Sequence, residues 1–460
     1  MNLMKKVLLT LFILGFICEG YSQENNEKTT KNSFTIEEAV KFAVENGYDV
    51  KSKKIDLDIA KKKIWETTAI GLPQATGTVA YQHTFKVPEM SFGQYMDPTT
   101  LPDGFITRDD ILAAYKNSEP IALGVANSTN WDITVSQLIF SGEYIVGLRA
   151  SKVFREMSEQ NLTKSYSDIK ESVSSSYFLA IVMDENLKLL KETQKVNDAY
   201  LKDLVAMGEQ GLIEETGVDQ VRIMKANLDN AVQSIERLTL VSKKLLKFQM
   251  GMPIENEIIL TDSLGKYTNE TAFTPYLAEV FDVTKTIDYQ ILETGVKLQK
   301  LSWDRERTTF LPSVAGFYRH FEQLNAASFN FQPKDIAGIN ISIPIFSSGM
   351  RTMKVQQARL NFEKMKVTQQ QAIEGLNLKY QTTFNDFQTS YASYLTNKQN
   401  MQLAKKIFNQ TMIKYKEGVA SAMDLNTSET QYLTTQRDYF TALDNLLTAK
   451  VKLDNLLSKN

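Results

Sequence analysis

In the second half of the chain, apolar residues recur at every third or fourth position, which is the spacing of one face of an α-helix. Gln, Asn, Thr, Lys and Asp fill the other faces, so the apolar positions form the narrow seam of a coiled coil. The seam positions are Ile373, Leu376, Tyr380, Phe384, Phe387, Tyr391 and Tyr394, and later Tyr439, Ala442, Leu446, Ala449, Leu453 and Leu456. Because proline breaks helices, the proline-free windows 121–252 and 345–460 predict long helices.

The helical windows predict four columns of similar length. Residues 141–210 and 347–417 span 70 and 71 residues, so each would form a continuous helix of roughly 105 Å. Four further helical stretches are about half as long, namely 35–70, 219–250, 276–310 and 424–458. Stacked in pairs, they predict two more columns of the same length, with joints near 251–275. The first of them opens with a predicted capping box, Thr35 to Glu38.

Four short segments between the helices alternate apolar and polar residues with a period of two. This pattern predicts β-strands with one apolar and one polar face at 75–85, 131–139, 314–321 and 337–345. The alternation in 314–321 is less clean, since Arg319 shares a face with Phe317 and Phe321. An apolar face suits lipid and a small, polar face suits a wetted lumen, so we predict part of a transmembrane β-barrel. A soluble sheet packed on a helix is the alternative.

The chain repeats itself after about 206 residues. Leu72–Pro73 and Leu311–Pro312 each end a helical stretch and open a strand. The runs IFS at 139–141 and 345–347 each join a strand to a long helix, 206 residues apart. We therefore predict a first repeat over 23–250, an equatorial linker over 251–275 and a second repeat over 276–460.

The first repeat is longer because it contains a loop over about 86–129, which holds four prolines. We expect this loop to face the outside of the cell. It is either an exposed mobile segment or a lid over the barrel mouth, and the sequence leaves both readings open.

Gly211 and Gly418 break the two long helices at equivalent places, 207 residues apart. Glycine is favoured at the left-handed position that ends a helix, so we predict helical tips at 211–218 and 418–425. The tips would lie at the end of the helices farthest from the strands. In an assembled tube every tip side chain forms a ring, and a ring of carboxylates would concentrate cations.

The N-terminus predicts export. Lys5 and Lys6 precede an apolar run over 7–17, which is too short to span a bilayer, and small residues follow at Gly20 and Ser22. We therefore predict a signal peptide over 1–22. Lipidation of Cys18, the one cysteine, remains an alternative that Ile17 disfavours, because a small residue is expected there. No apolar run of 18 or more residues follows.

Composition and the absence of known motifs mainly exclude classes of function. The net charge of -2 offers no basic face for nucleic acid. The sequence lacks a nucleophile elbow, a P-loop, a zinc-protease helix and a dinucleotide fingerprint, so we predict neither an enzyme nor a cofactor. His83 and His320 lie in predicted strands 237 residues apart. We read them as wall residues and predict no metal site.

Four strands cannot close a barrel, and open strand edges are not tolerated in lipid. The predicted fold is therefore mainly α with a small β part: a long antiparallel coiled-coil barrel that continues into a transmembrane β-barrel formed by assembly. Eight strands from two copies would enclose little more than side chains, whereas more copies leave a channel. The residues favour three or more copies without fixing the number.

Several motifs together resemble the TolC-type outer-membrane efflux family. They are FTIEEA at 34–39, the two Leu-Pro pairs, IPIFSSG at 343–349, and YKEG at 415–418 before Asp424. The resemblance implies a homotrimer with a 12-stranded barrel in the outer membrane of a Gram-negative bacterium and a helical tunnel in the periplasm. It also implies a periplasmic adaptor (membrane fusion protein) and an inner-membrane pump, or a type I secretion transporter.

The resemblance also implies roles for tip residues of the second repeat. Asp424 matches an acidic position that lines the periplasmic aperture, although an N-cap role at the start of a helix is equally compatible with it. The next acidic position of the family, one turn further on, is Thr427 here. Tyr415 matches a tyrosine of the tip-locking network, but its arginine partner position is Ala420, which cannot form that lock.

In the first repeat, the family's acidic tip position is Gly217, with Asp219 nearby. At the other end of the helices, Pro344, Gly349 and Gly142 mark the strand-to-helix junctions. A soluble periplasmic scaffold or adaptor and a general porin remain the alternative functions. The exported substrate cannot be read from the residues.

Overall fold

The computed structural model describes residues 33–90, 109, 121–210, 214–268, 281–325 and 332–457. The predicted signal peptide with Cys18, most of the 86–129 loop, and Gly211 lie outside these residues. At the stem of the loop, Glu89–Met90 pairs with Ile121–Ala122 in an antiparallel ladder.

Seven α-helices are described. They are α1 (Ile36–Asn46), α2 (Tyr48–Ala69), α3 (Gly142–Glu209), α4 (Glu215–Met250), α5 (Ile287–Thr308), α6 (Met350–Lys416) and α7 (Ala422–Leu456). Helices α3 and α6 run unbroken for 68 and 67 residues, or about 100 Å each. The two long helices predicted from the proline-free windows are thus confirmed.

Eight β-strands are also described, four of them only two residues long. They are β1 (Ser33–Phe34), β2 (Gln74–His83), β3 (Glu89–Met90), β4 (Ile121–Ala122), β5 (Asn127–Phe140), β6 (Ile259–Leu260), β7 (Ser313–Gln323) and β8 (Asp335–Ser342). The four predicted strands correspond to β2, β5, β7 and β8. These form one antiparallel sheet in the order β2-β5-β7-β8, so β2 and β8 are its edges.

The last strand of this sheet is shorter than predicted. The alternating pattern predicts a strand to residue 345, but β8 ends at Ser342. Pro344 has no N–H to donate to a ladder, and the chain leaves the sheet before it. A bulge between Leu138 and Phe140 also shifts the register of β5 on β7.

The register divides the sheet into an apolar and a polar face, because directly paired residues in antiparallel strands point the same way. Val79 pairs with Trp131, and Gly316 pairs with Ile339, on the apolar face. Thr76 pairs with Thr134 on the polar face. The strands' predicted two-sided character is therefore present in the folded sheet.

The half-length helices pack along the long ones. Four helices pack along α3, namely α2, α4, α5 and α7. Helix α6 packs chiefly on α5 and α7. The C-terminus of α4 meets the start of α2, where Phe248 and Tyr48 rings approach to 6.3 Å. The end of α7 and the start of α5 line one groove of about 860 Å³. The chain thus forms two continuous columns and two columns of stacked halves.

The helix predicted over 35–70 is in fact two helices, α1 and α2. The break is at Gly47, where an added Cβ would lie 2.6 Å from the Ala43 carbonyl oxygen. Gly251, which ends α4 with a φ of 73°, packs against the backbone of Asn46 at the same place. The helix predicted from 276 begins only at Ile287, with Thr286 as its N-cap.

The main core surrounds this joint. Phe34 in β1 pairs with Leu260 in β6, and the Tyr177 hydroxyl donates to the Phe34 carbonyl at 3.0 Å. The predicted capping box forms, since the Thr35 N–H donates to the Glu38 carboxylate at 3.0 Å and the Glu38 N–H donates to the Thr35 hydroxyl. The N-terminal end of the described chain is therefore anchored at mid-height of the helical columns.

Candidate functional site: the helical tips

The turn between α6 and α7 is the better described of the two tips. Gly418 has a φ of 74°, as the prediction of a left-handed residue requires. The Val419 N–H donates to the Lys414 carbonyl at 2.8 Å, so the turn caps the last carbonyls of α6. The Val419 and Met423 side chains are exposed on this turn.

Asp424 does not occupy the N-cap position that the sequence allowed for it. The N-cap of α7 is Ser421, and Asp424 is the third residue of the helix in a capping box. The Asp424 carboxylate accepts from the Ser421 N–H at 2.9 Å and from the Ser421 hydroxyl at 2.7 Å. These hydrogen bonds hold the pKa of Asp424 below its usual value. The exposed carboxylate is therefore ionised and fixed at the tip.

The other residues that the resemblance places at this tip lie apart from Asp424. Thr427 is exposed and donates to the Met423 carbonyl at 2.8 Å within its own helix. The Tyr415 ring packs against the Tyr200 ring of α3 with 6.1 Å between centroids. Burial raises the pKa of both tyrosines. Tyr415 thus belongs to the packing between helices, whereas Asp424 and Thr427 face outward.

The tip of the first repeat is built differently in its described part. Helix α4 begins at Glu215, four residues before the predicted start, and its N-cap Glu214 makes no side-chain capping bond. The Gly217 N–H donates to the Glu214 carbonyl at 2.9 Å. Asp219 is exposed and pairs with Arg222 at 3.0 Å, so its charge is partly balanced.

Contacts between the two hairpins, α3–α4 and α6–α7, hold the tips together. Lys416 pairs with Asp203 at 3.2 Å, and its ammonium lies 5.8 Å from the centre of the Tyr200 ring. A core beneath them contains Tyr200, Leu204, Val221, Met224, Ala404, Phe408, Leu425 and Tyr432. With alanine at position 420, this chain thus links its hairpins through Lys416.

A buried polar pair lies deeper between α3 and α7. The Asn197 amide donates to the Glu429 carboxylate, and Glu429 is only 2% exposed. Burial raises the pKa of Glu429, although the hydrogen bond from Asn197 opposes the shift. About two turns further along α7, the Gln436 amide donates to the Asn186 side-chain oxygen Oδ1 at 3.0 Å. Buried polar pairs of this kind fix the register of packed helices.

No local sequence pattern predicts these pairs. Lys416 and Asp203 are 213 residues apart, and Asn197 and Glu429 are 232 residues apart. One indirect signal was present. Ser151, Ser158 and Ser165 recur every seven residues in α3, and Asn186 and Thr193 continue the same series. All five are buried, so a polar heptad line marked the buried side of this helix.

The residues predicted at the strand-to-helix junctions lie at the opposite end, about 100 Å from the tips. Gly349 caps α6 with a φ of 79°. An alanine Cβ at Gly142 would lie 2.7 Å from Thr308 Cβ, so glycine allows α3 to start close to α5. Pro344 lies in the extended connection between β8 and α6.

The two histidines do not meet. His83 Nδ1 lies 2.7 Å from Asn127 Oδ1, and His320 Nδ1 lies 2.7 Å from Asp335 Oδ1. Their paired positions on β5 are six residues apart, or about 20 Å. Within the described ranges, no group of three or more His, Cys, Asp or Glu side chains is arranged to hold a metal.

Comparison with known proteins bears on these features. Residues 300–459 match the sequence profile of the family described as outer membrane efflux protein. Over these 160 of its 460 residues the chain is similar to that family. The matched region includes β7, β8, α6, the Gly418 turn and α7. This similarity supports a role of the chain as an exit duct of the outer membrane.

Solved structures share the fold of this chain at low sequence identity. CusC, which forms a transmembrane channel, is 12% identical with a TM-score of 0.71, over 92% of this chain and 91% of its own. The Campylobacter jejuni outer membrane channel CmeC is 17% identical with a TM-score of 0.69, over 92% and 85%. The Vibrio cholerae outer membrane protein VceC is 14% identical with a TM-score of 0.65, over 92% and 95%.

Among curated protein sequences, none matches the chain. In the part of the chain that the structure describes, no helix has the length and apolar character needed to cross a membrane.

Proposed function

We propose that the chain works as a homotrimer whose sheets close one β-barrel and whose helices form one periplasmic tunnel. Its tips would dock on a periplasmic adaptor that is coupled to an inner-membrane pump or a type I secretion transporter. The observation that carries the proposal is that, within the described residues, the sheet ends in two edge strands without a ladder partner and the helices on both sides carry exposed apolar stripes.

The sheet supports closure by copies of the same chain. Its edge strands β2 and β8 each leave one row of backbone groups without a ladder partner in the described sheet. In lipid such edges must be paired. Pairing β8 of one copy with β2 of the next gives the backbone groups of both edge strands a ladder partner. Three copies supply twelve strands. The exposed apolar face would then contact lipid, and the polar face would line the lumen.

The helical edges support the same arrangement. On α6, a stripe of exposed apolar residues lies opposite the face that packs on α5 and α7. It consists of Met353, Leu360, Val367 and Leu378. The opposite edge of the protomer carries a second exposed stripe along α4 and α2. It consists of Leu238, Val241, Leu245, Phe248, Tyr48, Ile55 and Ile59.

Two different stripes on opposite edges fit head-to-tail contact between copies. Such contact forms a closed ring when successive rotations return to the first copy. Burying one such stripe against the other removes apolar surface from water along the whole column. The tip turn would remain outside these contacts, and its exposed Val419 and Met423 offer an apolar surface for the adaptor.

Assembly is tested by placing a charge in the α6 stripe. Leu360→Glu should abolish the trimer, because a carboxylate would be buried against the neighbouring copy without a partner. Asn361→Glu is the matched control, since the next residue points about 100° away toward solvent. Chemical cross-linking of isolated outer membranes measures the trimer. A trimer that survives Leu360→Glu, or a wild-type chain found as a soluble periplasmic species, would overturn the proposal.

The aperture role of Asp424 has its own test. Asp424→Asn keeps a side chain that can still accept the capping bonds but removes the ring of charge. We expect reduced cation preference in single-channel recordings in planar bilayers. Asp219→Asn, at the other tip, should have a smaller effect because Arg222 already balances that carboxylate. An unchanged preference for Asp424→Asn would exclude the charged ring.

A further inference from the structure

One basic side chain interrupts the polar face of the sheet. Arg319 in β7 points to the same face as its neighbours Phe317 and Phe321, since alternate residues of a strand share a face. The other polar residues of this face are neutral, apart from Asp132 in β5. They include Gln74, Thr76, Thr78, Gln82, Ser128, Asn130, Thr134, Ser136, Gln323, Asn340 and Ser342. Arg319 and Asp132 are thus the charged residues of this face within the described strands.

The two charges form a diagonal pair across neighbouring strands. Thr134 is directly opposite Arg319, and Asp132 is directly opposite Phe321. The Arg319 Nη2 atom lies 3.4 Å from Asp132 Oδ1. The Thr134 hydroxyl donates to the other carboxylate oxygen of Asp132 at 3.1 Å. The carboxylate is therefore held on both oxygens.

The guanidinium of Arg319 has an aromatic support. Its carbon lies 5.1 Å from the centre of the Phe321 ring, and Phe321 is 7% exposed. On the other side, an added Cβ at Gly338 would lie 3.0 Å from the Phe317 ring, so that ring covers Gly338. The Arg319 guanidinium is thus supported by the Phe321 ring, beside the Phe317 ring that covers Gly338.

The pair leaves the arginine partly available. The side chain of Arg319 is 36% exposed, whereas that of Asp132 is 14% exposed. A partly exposed ion pair adds little to stability. A planar guanidinium has five N–H donors, and one contact of 3.4 Å leaves most of this capacity for an anionic group that arrives from the polar side.

We propose that Arg319 and Asp132 form a charge-selective position on the lumenal wall of the duct, where Arg319 binds anionic groups of passing solutes and Asp132 limits that attraction. The inference rests on the proposed function, in which the polar face lines the lumen. Closure by three copies would repeat the position three times at one height of the barrel. Fixed charges on the wall of a narrow pore set its ion preference.

The test is the reversal potential of the assembled wild-type duct and its variants in planar bilayers under a KCl gradient. Arg319→Gln should shift the preference toward potassium by about twofold, because the carboxylate of Asp132 is then unpaired. Asp132→Asn should shift it toward chloride by a similar factor, because the guanidinium is then unpaired. The double variant should return close to the wild-type value.

Glu322→Gln is the matched control. Glu322 lies three residues from Arg319 in the same strand but pairs with Trp131 on the apolar face, and its carboxylate contacts Lys334 at 3.0 Å. The Glu322→Gln variant should therefore leave the reversal potential unchanged. If Arg319→Gln does not assemble, the test uses Asp132→Asn and Arg319→Lys instead. Arg319→Lys should keep the ion preference of the wild type, because lysine retains the positive charge.

The outcomes separate this inference from the proposed function. Opposite shifts for the two single variants support the charge-selective position. If the wild type conducts and neither single variant changes the reversal potential, the pair has only a structural role and the inference is overturned. If the wild-type protein forms no channel at all, it is the proposed function that fails.

Discussion

Helices α3 and α6 are equivalent in the repeat and nearly equal in length, yet their surroundings differ. Twenty residues of α3 are buried, against five of α6. Helix α3 packs on α2, α4, α5 and α7, whereas α6 packs chiefly on α5 and α7. Two helices of similar sequence pattern and length thus have different roles, because α3 is central in the protomer and α6 lies at its edge.

The buried residues of the two helices also differ in kind. Those of α6 are Ala358, Phe387, Tyr394, Ala404 and Phe408. Those of α3 include the polar heptad line from Ser151 to Thr193. Small polar residues allow close approach of the flanking columns, and hydrogen bonds such as Asn197 to Glu429 define which partner residues meet. Helix α6 instead leaves its apolar stripe exposed for contact between copies.

The largest expected effect comes from truncating one leucine in each helix. Leu204 of α3 is 1% exposed and Leu360 of α6 is 62% exposed. Leu204→Ala should lower the unfolding free energy by about 2–5 kcal/mol because it leaves a cavity. Leu360→Ala should change the stability of the unassembled chain by less than about 0.5 kcal/mol. Urea unfolding followed by circular dichroism measures both.

The same pair also separates folding from assembly. Leu360→Ala should reduce the trimer fraction in cross-linked membranes, whereas Leu204→Ala should reduce the total amount of folded chain. Equal costs at the two positions in the unassembled chain would break the distinction between a central and an edge helix.

A smaller difference is expected where each helix begins. Gly142→Ala places a Cβ 2.7 Å from Thr308 Cβ and 2.9 Å from Leu311 Cδ1. The start of α3 would have to move, at a cost of about 1–3 kcal/mol. Gly349→Ala meets no atom within 4 Å, and only its positive φ costs about 1 kcal/mol. Thermal unfolding should rank Gly142→Ala as the more damaging, and the reverse order would show that backbone strain outweighs crowding.

The smallest expected effect on stability concerns Glu429 of α7, whose buried carboxylate contacts Asn197 of α3. Because burial raises the pKa of Glu429 above its ordinary value in the folded state, the folded state binds this proton more tightly than the unfolded state. Stability should therefore rise as the pH falls through the folded pKa, and level off below the unfolded value. Glu429→Gln should remove that slope and stabilise the tip by about 1 kcal/mol at neutral pH.

Asp438→Asn is the control for this prediction, since Asp438 lies on the same helix with a side chain that is 44% exposed. It should leave the pH dependence of unfolding unchanged. A wild-type stability that falls on mild acidification would mean that Glu429 is stabilised as a carboxylate.

Much of the fold could be predicted because breakers and periodicity act locally. Proline-free windows and the two Leu-Pro pairs located the long helices and the strands. Of two errors, one has a local cause and the other a distant one. The apolar alternation continues through Ile343 and Ile345, but Pro344 ends the ladder before them. The break at Gly47 depends on the close approach of Gly251, which is distant in the sequence.

The tip could be predicted in outline and not in detail. Gly418 identified the turn, because few other residues adopt a positive φ. Ser421 and Asp424 are both good capping residues, and only the pattern Ser-x-x-acidic favours Ser421 as the cap. The contacts of Lys416 with Asp203 depend on how two hairpins dock, which no local pattern determines.

The stacked columns have a consequence for how the length of this protein can change. An insertion of one heptad in α3 would move its tip outward by about 10 Å. The same shift would then be needed in α6 and in one half-helix of each stacked column, or the two turns would no longer lie side by side. The height of the molecule is therefore determined jointly by the lengths of four helical segments, which lie at four places along the chain. Related chains that differ in height should carry matched insertions or deletions at four places.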